Sequence, residues 1–278
     1  MKKILVILNG GNTRNTISFA CYMAGYTQAR LTAVFPHAIP YGKEPALKQV
    51  YGSAYVESIV ESDLSVNESY VIEVEKQQQL FSEMCETRGI PYHLLKENET
   101  ATEELIEESR LADMIILDTA ADVKHHQKEE RDKLTRSLLA NAECPVIIAP
   151  AEYEPIDEII LCYDGSASAV FAMKQLTYLL PGLENTKITA LQVSDENEVK
   201  KTKNNKVREW LTDNYRYVDV ETIKGTAEKE LFNILIKKRN ALVVMGAYGR
   251  GTLSRFFHHS MAEQFLDLSP LPVFITHY

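Results

Sequence analysis

The chain has 278 residues, of which 45% are hydrophobic and 25% are charged, and its formal net charge is −9 at pH 7. This composition is typical of globular domains and excludes a fibrous or intrinsically disordered chain. The negative charge opposes general attraction to nucleic-acid backbones and anionic lipids, and no apolar run approaches the roughly 20 residues of a membrane span. We therefore expect neither a nucleic-acid nor a membrane partner.

The cysteines and the first residues of the chain bear on its location. Four cysteines lie far apart, without the spacing of a zinc site or the density of a disulfide scaffold. The apolar run at residues 4–8 is shorter than the core of a signal peptide, and no small-residue cleavage site follows it. We expect the reducing cytoplasm.

Short apolar runs in the first half of the chain predict strands that are covered on both faces, as in a parallel sheet. Between them, apolar residues recur at helical spacing, and a capping box at Thr100 to Glu103 predicts the start of a further helix. Leu105, Ile106 and Leu111 are expected to be the apolar residues of that helix. The predicted strands are 4–8, 31–35, 114–117 and 146–149, and the two earlier helices are 13–26 and 67–87.

The second half repeats this order. Its predicted strands are 159–163, 188–193, 218–223, 242–245 and 273–276, and its predicted helices are 168–180, 207–214, 227–239 and 260–268. Strands that alternate with helices imply right-handed crossovers and an open sheet with helices on both faces.

The two halves match each other in sequence as well as in order. Residues 4–8 followed by Asn9 correspond to 159–163 followed by Asp164, and 114–117 followed by Asp118 correspond to 242–245 followed by Gly246. The chain is therefore a duplication. We predict two tandem α/β domains, 1–150 and 151–278, each with an open five-stranded parallel sheet.

Residues 38–66 form a connection in the first half that has no counterpart in the second. Connections longer than about 15 residues are unusual unless they perform a task or stay mobile. The first interpretation is a surface loop with a short helix packed over its own domain. The alternative is a lid or a partner-binding element.

A ligand crevice is expected in the second half. In an open α/β sheet it lies at the carboxyl ends of the strands, where the strand order reverses. Asp164 and Gly165 would meet the glycine-rich loop of residues 246–251 there, if the first and fourth strands are neighbours. Glycines let backbone amides approach phosphate oxygens, and the predicted helix start at Ser260 adds unpaired N–H groups. Arg250 would add positive charge.

These residues resemble the nucleotide motif of the universal stress protein family, specifically its tandem members, over essentially the whole chain. ATP-binding members carry an Asp after the first strand and Gly-x2-Gly-x9-Gly-Ser/Thr after the fourth. The motif here consists of Asp164, Gly246, Gly249 and Ser260, and His259 stands in place of the third glycine.

The resemblance implies a Rossmann-like fold of the adenine-nucleotide alpha-hydrolase type. It also implies that Asp164 holds the adenine edge and that Val193 lines the base pocket. Gly249, Arg250 and Ser260 would hold phosphates, while His259 either fills space or donates to a phosphate.

The first half departs from the motif. Asn9 replaces the aspartate, Asp118 replaces the first glycine, and residues 122–131 contain no glycine. A carboxylate at the mouth of the loop would repel phosphates. We expect ATP only in the C-terminal half, with no metal beyond nucleotide-associated Mg²⁺.

The functional hypothesis is a stress-response module that senses adenine nucleotides and acts on an unidentified protein partner, without catalytic residues of its own. Slow ATP hydrolysis or nucleotidyl transfer is one alternative, and a protein-interaction module without nucleotide is another. The family resemblance also suggests that strands 146–149 and 273–276 join the copies as a pseudo-dimer within the chain, and it leaves a homodimer open.

Overall fold

The computed structural model describes residues 1–8, 13–36, 48–50, 53–55, 61–95, 102–118, 125–150, 152, 154–194, 201–246 and 271–276. The strands within these ranges are β1 (Lys3–Ile7), β2 (Arg30–Val34), β3 (Lys48–Val50), β4 (Ser53–Tyr55), β5 (Tyr92–Leu94), β6 (Met114–Leu117), β7 (Val146–Ile148), β8 (Glu158–Cys162), β9 (Lys187–Ser194), β10 (Val218–Lys224), β11 (Ala241–Gly246) and β12 (Val273–Thr276). The α-helices are α1 (Thr13–Thr27), α2 (Glu61–Thr87), α3 (Thr102–Ser109), α4 (His125–Asn141), α5 (Ala167–Leu179), α6 (Lys201–Asn214) and α7 (Ala227–Leu235).

Ten strands form one sheet in the order β10-β9-β8-β11-β12-β7-β6-β1-β2-β5. Neighbouring strands are parallel, except that β7 and β12 pair antiparallel. Each copy therefore contributes five parallel strands in the same relative order, which confirms the predicted α/β class. The two five-stranded sheets are continuous with each other rather than separate.

The central strands are apolar on both faces because helices cover both faces of the sheet. On one face, Ile4 and Val6 belong to a core that contains buried residues of α1, α2, α5 and α6. On the other face, Leu5 and Ile7 pack in a second core with buried residues of α3, α4 and α7. Burial on both faces explains why these strands are continuous apolar runs in the sequence.

The junction between the copies consists of three opposed pairs, in which Val273 lies opposite Ile148, Phe274 opposite Ile147 and Ile275 opposite Val146. All six side chains are almost completely buried. A second contact between the copies involves α1, since the Tyr22 hydroxyl accepts a hydrogen bond of 3.0 Å from the backbone N–H of Ile156.

Several elements differ from the sequence prediction. Strand β5 and helix α4 were not identified, and α2 begins at Glu61 rather than at residue 67. Within the connection at 38–66, β3 and β4 form an antiparallel hairpin. The assignment of Leu111 to the helix that carries Leu105 is wrong, because α3 ends at Ser109 and Leu111 is 75% exposed. The predicted helix at 260–268 lies outside the described residues.

Among the described residues, no helix combines the length and the apolar character needed to cross a membrane.

The junction generates a stability prediction. Phe274 is completely buried opposite Ile147, so Phe274→Ala should lower the free energy of unfolding by about 3–5 kcal/mol through lost burial and a new cavity. The measurement is denaturant unfolding of the full chain. Tyr178→Ala is the control, because Tyr178 is 59% exposed, and its effect should stay within about 0.5 kcal/mol. Equal effects of the two substitutions would contradict the described junction.

Candidate functional site

The candidate site of the second copy lies where β8 and β11 end. These strands are parallel neighbours, with Leu161 opposite Val244, and β8 pairs with β9 on its other side. The chain thus leaves β8 at the point where the strand order reverses, which is where ligands bind in open α/β sheets.

The loop after β8 is a tight turn that leads directly into α5. Asp164 Oδ1 accepts a hydrogen bond of 2.9 Å from the backbone N–H of Ser166, and Gly165 has a φ of +81°, which favours glycine. Ser166 then caps α5, since its hydroxyl accepts from the backbone N–H of Ala169 at 3.1 Å. Oδ2 of Asp164 forms no hydrogen bond with the described residues.

Gly246 ends β11 and lies against the first turn of α5. A Cβ atom at this position would lie 2.4 Å from the backbone carbonyl carbon of Ser168 and 2.5 Å from its oxygen. Only glycine allows this approach without a shift of the helix. The first glycine of the motif therefore has a packing role that is independent of any phosphate.

Two further side chains lie near this end of the sheet. The register pairs Leu191 with Cys162, and its continuation places the partly buried Val193 beside Asp164. Thr276 pairs with Gly246 at the end of β12, and its buried hydroxyl has no hydrogen-bond partner among the described residues. Sequence reasoning missed Thr276, whose signal is a polar residue at the end of an apolar run.

The structure thus brings Asp164, Gly165, Val193 and Gly246 to one end of the second-copy sheet. The remaining predicted site residues lie outside the described part of the chain. They are Gly249, Arg250, His259 and Ser260.

The first copy has a different arrangement at the equivalent place. Asp118 stands where the second copy has Gly246, and it is only 2% exposed. Its backbone N–H donates to the carbonyl oxygen of Ile7 at 3.1 Å. Packing of α1 on β6 is much less extensive than packing of α5 on β11. The less extensive packing of α1 leaves room for a side chain at the end of β6, and this side chain is the carboxylate of Asp118.

The cysteines offer no exposed nucleophile. All four are free and buried. Burial and the nearby charge of Asp164 raise the pKa of the Cys162 thiol to about 12. Burial raises the pKa of the Cys144 thiol to about 12 as well, with a smaller contribution from Asp113. Within the described residues, no group of three or more His, Cys, Asp and Glu side chains could hold a metal ion.

Three solved structures resemble the chain over nearly its whole length. A universal stress protein from Archaeoglobus fulgidus DSM 4304 is 16% identical, with a TM-score of 0.60 over 99% of this chain and 96% of the other. A protein from Pseudomonas aeruginosa UCBPP-PA14, proposed to be a universal stress protein, is 15% identical, with a TM-score of 0.57 over 100% and 93% of the two chains. A functionally unknown protein from Pseudomonas aeruginosa PAO1 is 14% identical, with a TM-score of 0.55 over 100% and 92%.

No protein-family model matches the sequence, and no curated protein matches it. At the identities above, the similarity concerns the fold. The resemblance to universal stress proteins is confirmed at that level, since the chain has their Rossmann-like fold.

The contact at Gly246 can be tested by substitution. Gly246→Ala should lower the free energy of unfolding by about 1–3 kcal/mol, because the methyl group meets the backbone of Ser168. Gly25→Ala is a matched control in α1, since a Cβ there meets nothing within 4 Å, and it should raise stability by up to about 1 kcal/mol. Thermal or denaturant unfolding measures both. If Gly246→Ala is as benign as Gly25→Ala, the close approach of α5 to β11 is wrong.

Proposed function

We propose that the protein is a stress-response regulator that binds ATP in its second copy only. It turns ATP over far more slowly than a typical enzyme. The observation that carries the proposal is the contrast between equivalent strand ends. The second copy has the Asp164 turn and a glycine at 246, whereas the first copy has a buried carboxylate, Asp118.

The charge at each strand end supports the asymmetry. A carboxylate at the strand end opposes the approach of an anionic ligand group, because like charges repel. In the second copy the corresponding residue has no side chain, and the sequence that follows it brings Gly249, Arg250 and Ser260. Glycine amides, an arginine and a helix start are the groups that bind phosphates.

The Asp164 turn supports a role in holding the base. One carboxylate oxygen is engaged by the turn itself, which fixes the orientation of the group. The other oxygen is then an oriented acceptor for the exocyclic amino group of adenine. Val193, partly buried beside it, offers an apolar surface to the face of the base.

The proposal includes the cytoplasm as the location and a protein partner as the output of nucleotide binding. Four free, buried cysteines are compatible with a reducing compartment.

The asymmetry predicts unequal effects of two equivalent substitutions on ATP binding by the full chain. Asp164→Ala should weaken ATP affinity about tenfold or more, as expected for the loss of a hydrogen bond to a charged group. Asn9→Ala, at the equivalent position of the first copy, should leave the affinity unchanged. Isothermal titration calorimetry measures both the affinity and the stoichiometry. A stoichiometry of two, or an effect of Asn9→Ala as large as that of Asp164→Ala, would overturn the asymmetry.

The same preparations separate the alternatives. Metal-dependent ATP hydrolysis near 10 per second, abolished by Asp164→Ala, would favour an enzyme. The absence of ATP binding at any concentration tested would favour a protein-interaction module.

The histidine in place of the third glycine generates a further prediction. If His259 reduces the space available to the ribose and phosphates, His259→Gly should tighten ATP binding by about 1 kcal/mol. The same titration measures the change, with His258→Gly as a neighbouring control. Weaker binding by His259→Gly would show instead that the imidazole donates to the ligand.

A further inference from the structure

A cleft of about 800 Å³ lies beside α3 on the first-copy sheet. Its volume is within the range of small-molecule sites. Strand residues form one side, and acidic residues of α3 form another. The residues that matter are Lys3, Arg30, Thr32, His93, Glu104 and Glu107. The cleft starts at the amino ends of β1 and β2, so it is distinct from the crevice at the carboxyl ends of β8 and β11.

The strand register identifies the equivalent positions of the second copy. Lys3 pairs with Arg30 as Glu158 pairs with Lys187, and two residues further along stand Thr32 and Thr189.

In the second copy these positions form a cluster of donors around one carboxylate. Glu158 Oε1 accepts from the Thr189 hydroxyl at 3.0 Å and lies 3.8 Å from Lys187 Nζ. Glu158 Oε2 accepts from Lys238 Nζ at 2.6 Å. Lys187 Nζ also lies 3.0 Å from Asp219 Oδ2. The hydroxyl of Thr189 and the ammonium groups of Lys187 and Lys238 therefore all have a carboxylate partner within the chain.

In the first copy the donors Arg30 and Thr32 stand in place of Lys187 and Thr189, and both carboxylates are replaced. Lys3 stands in place of Glu158, and His93 in place of Asp219, since each lies beside the equivalent threonine. Lys3 Nζ pairs with Glu108 instead. The side chains of Arg30 and His93 form no hydrogen bond or ion pair with the described part of the chain.

The Thr32 hydroxyl is the strongest sign of a missing ligand group. Thr32 is 1% exposed and lines the cleft, and its Oγ1 has no hydrogen-bond partner among the described residues. A buried hydroxyl without a partner is unfavourable, and native structures rarely retain one. The equivalent hydroxyl of Thr189 bonds a carboxylate, so the same group from a ligand would satisfy Thr32.

The opposite side of the cleft carries an excess of carboxylates. Glu108 pairs with Lys3, and Arg110, which also lines the cleft, pairs with Glu143 at 2.7 Å. Glu104 and Glu107 are exposed on α3 and line the cleft. A simple anion would be repelled by these two carboxylates, whereas a ligand with a second, cationic group would be attracted. We propose that the cleft binds a small zwitterion of the amino-acid class. Its carboxylate is held by Thr32, Arg30 and His93, and its ammonium group by Glu104 and Glu107.

A ligand series tests the zwitterion. The full chain, labelled with ¹⁵N, is titrated with ω-amino acids from glycine to 6-aminohexanoate, and affinity is measured from the shifts of the β1 and β2 amides. The matched single-charge probes are butyrate and butylamine. At least one amino acid should bind about tenfold more tightly than either probe, since it gains a second charged contact. If no amino acid binds more tightly than both butyrate and butylamine, the proposal is wrong.

Two equivalent threonines provide matched variants. Thr32→Val keeps the shape but removes the hydroxyl, so it should weaken ligand binding about tenfold without lowering the free energy of unfolding. Thr189→Val should lower the free energy of unfolding, because Glu158 loses a donor, and should leave ligand affinity unchanged. An unchanged affinity in Thr32→Val, or an equal loss in Thr189→Val, would overturn the site.

Discussion

Antiparallel pairing of β7 with β12 joins the two copies into one continuous sheet. Each is the last strand of its own parallel sheet, and an unpaired last strand would expose a row of backbone donors and acceptors. Pairing satisfies those groups and completely buries Ile147 and Phe274, which lie opposite each other. On each side of this junction, the five strands of a copy follow in the same relative order. The copies are therefore related by an approximate two-fold rotation, so equivalent residues occupy equivalent positions in the sheet and their surroundings can be compared directly.

Gly246 and its counterpart Asp118 distinguish the packing role of this glycine from a role in ligand binding. At Gly246 the backbone of Ser168 leaves no room for a Cβ atom, so the residue would be glycine even without a nucleotide. Asp118, its counterpart, occupies a strand end on which the helix packs less closely. The glycine motif alone is thus weak support for phosphate binding. At Asp164 one carboxylate oxygen stabilises the turn by accepting from the Ser166 N–H, so the turn explains the engagement of that oxygen only.

Most of the strands that sequence reasoning located are buried on both faces. Strand β10 is an exception, since it was predicted at 218–223 and none of its residues is buried. The runs at 114–117 and 273–276 match β6 and β12 at both ends, because burial on both faces leaves no polar position inside the strand. Strand β5 was missed since its three residues are partly or fully exposed and alternate weakly. Leu111 was misplaced because helical spacing continued in the sequence beyond the end of α3 at Ser109. Burial of a hydroxyl without a partner, as at Thr32, depends on tertiary packing and has no local sequence signal.

The two copies differ at both ends of the sheet, and the copy that has an additional carboxylate is a different one at each end. At the carboxyl ends of the strands, the second copy has Gly246, which packs against the backbone of Ser168, and the first has the buried carboxylate of Asp118. At the amino ends, the second copy has the Glu158 carboxylate with its donors, and the first has a cleft lined by Thr32. In each of these places one copy has a carboxylate that the other copy lacks. A duplicated chain whose copies share one sheet can change these two places separately, because neither place contributes a residue to the buried junction of β7 and β12.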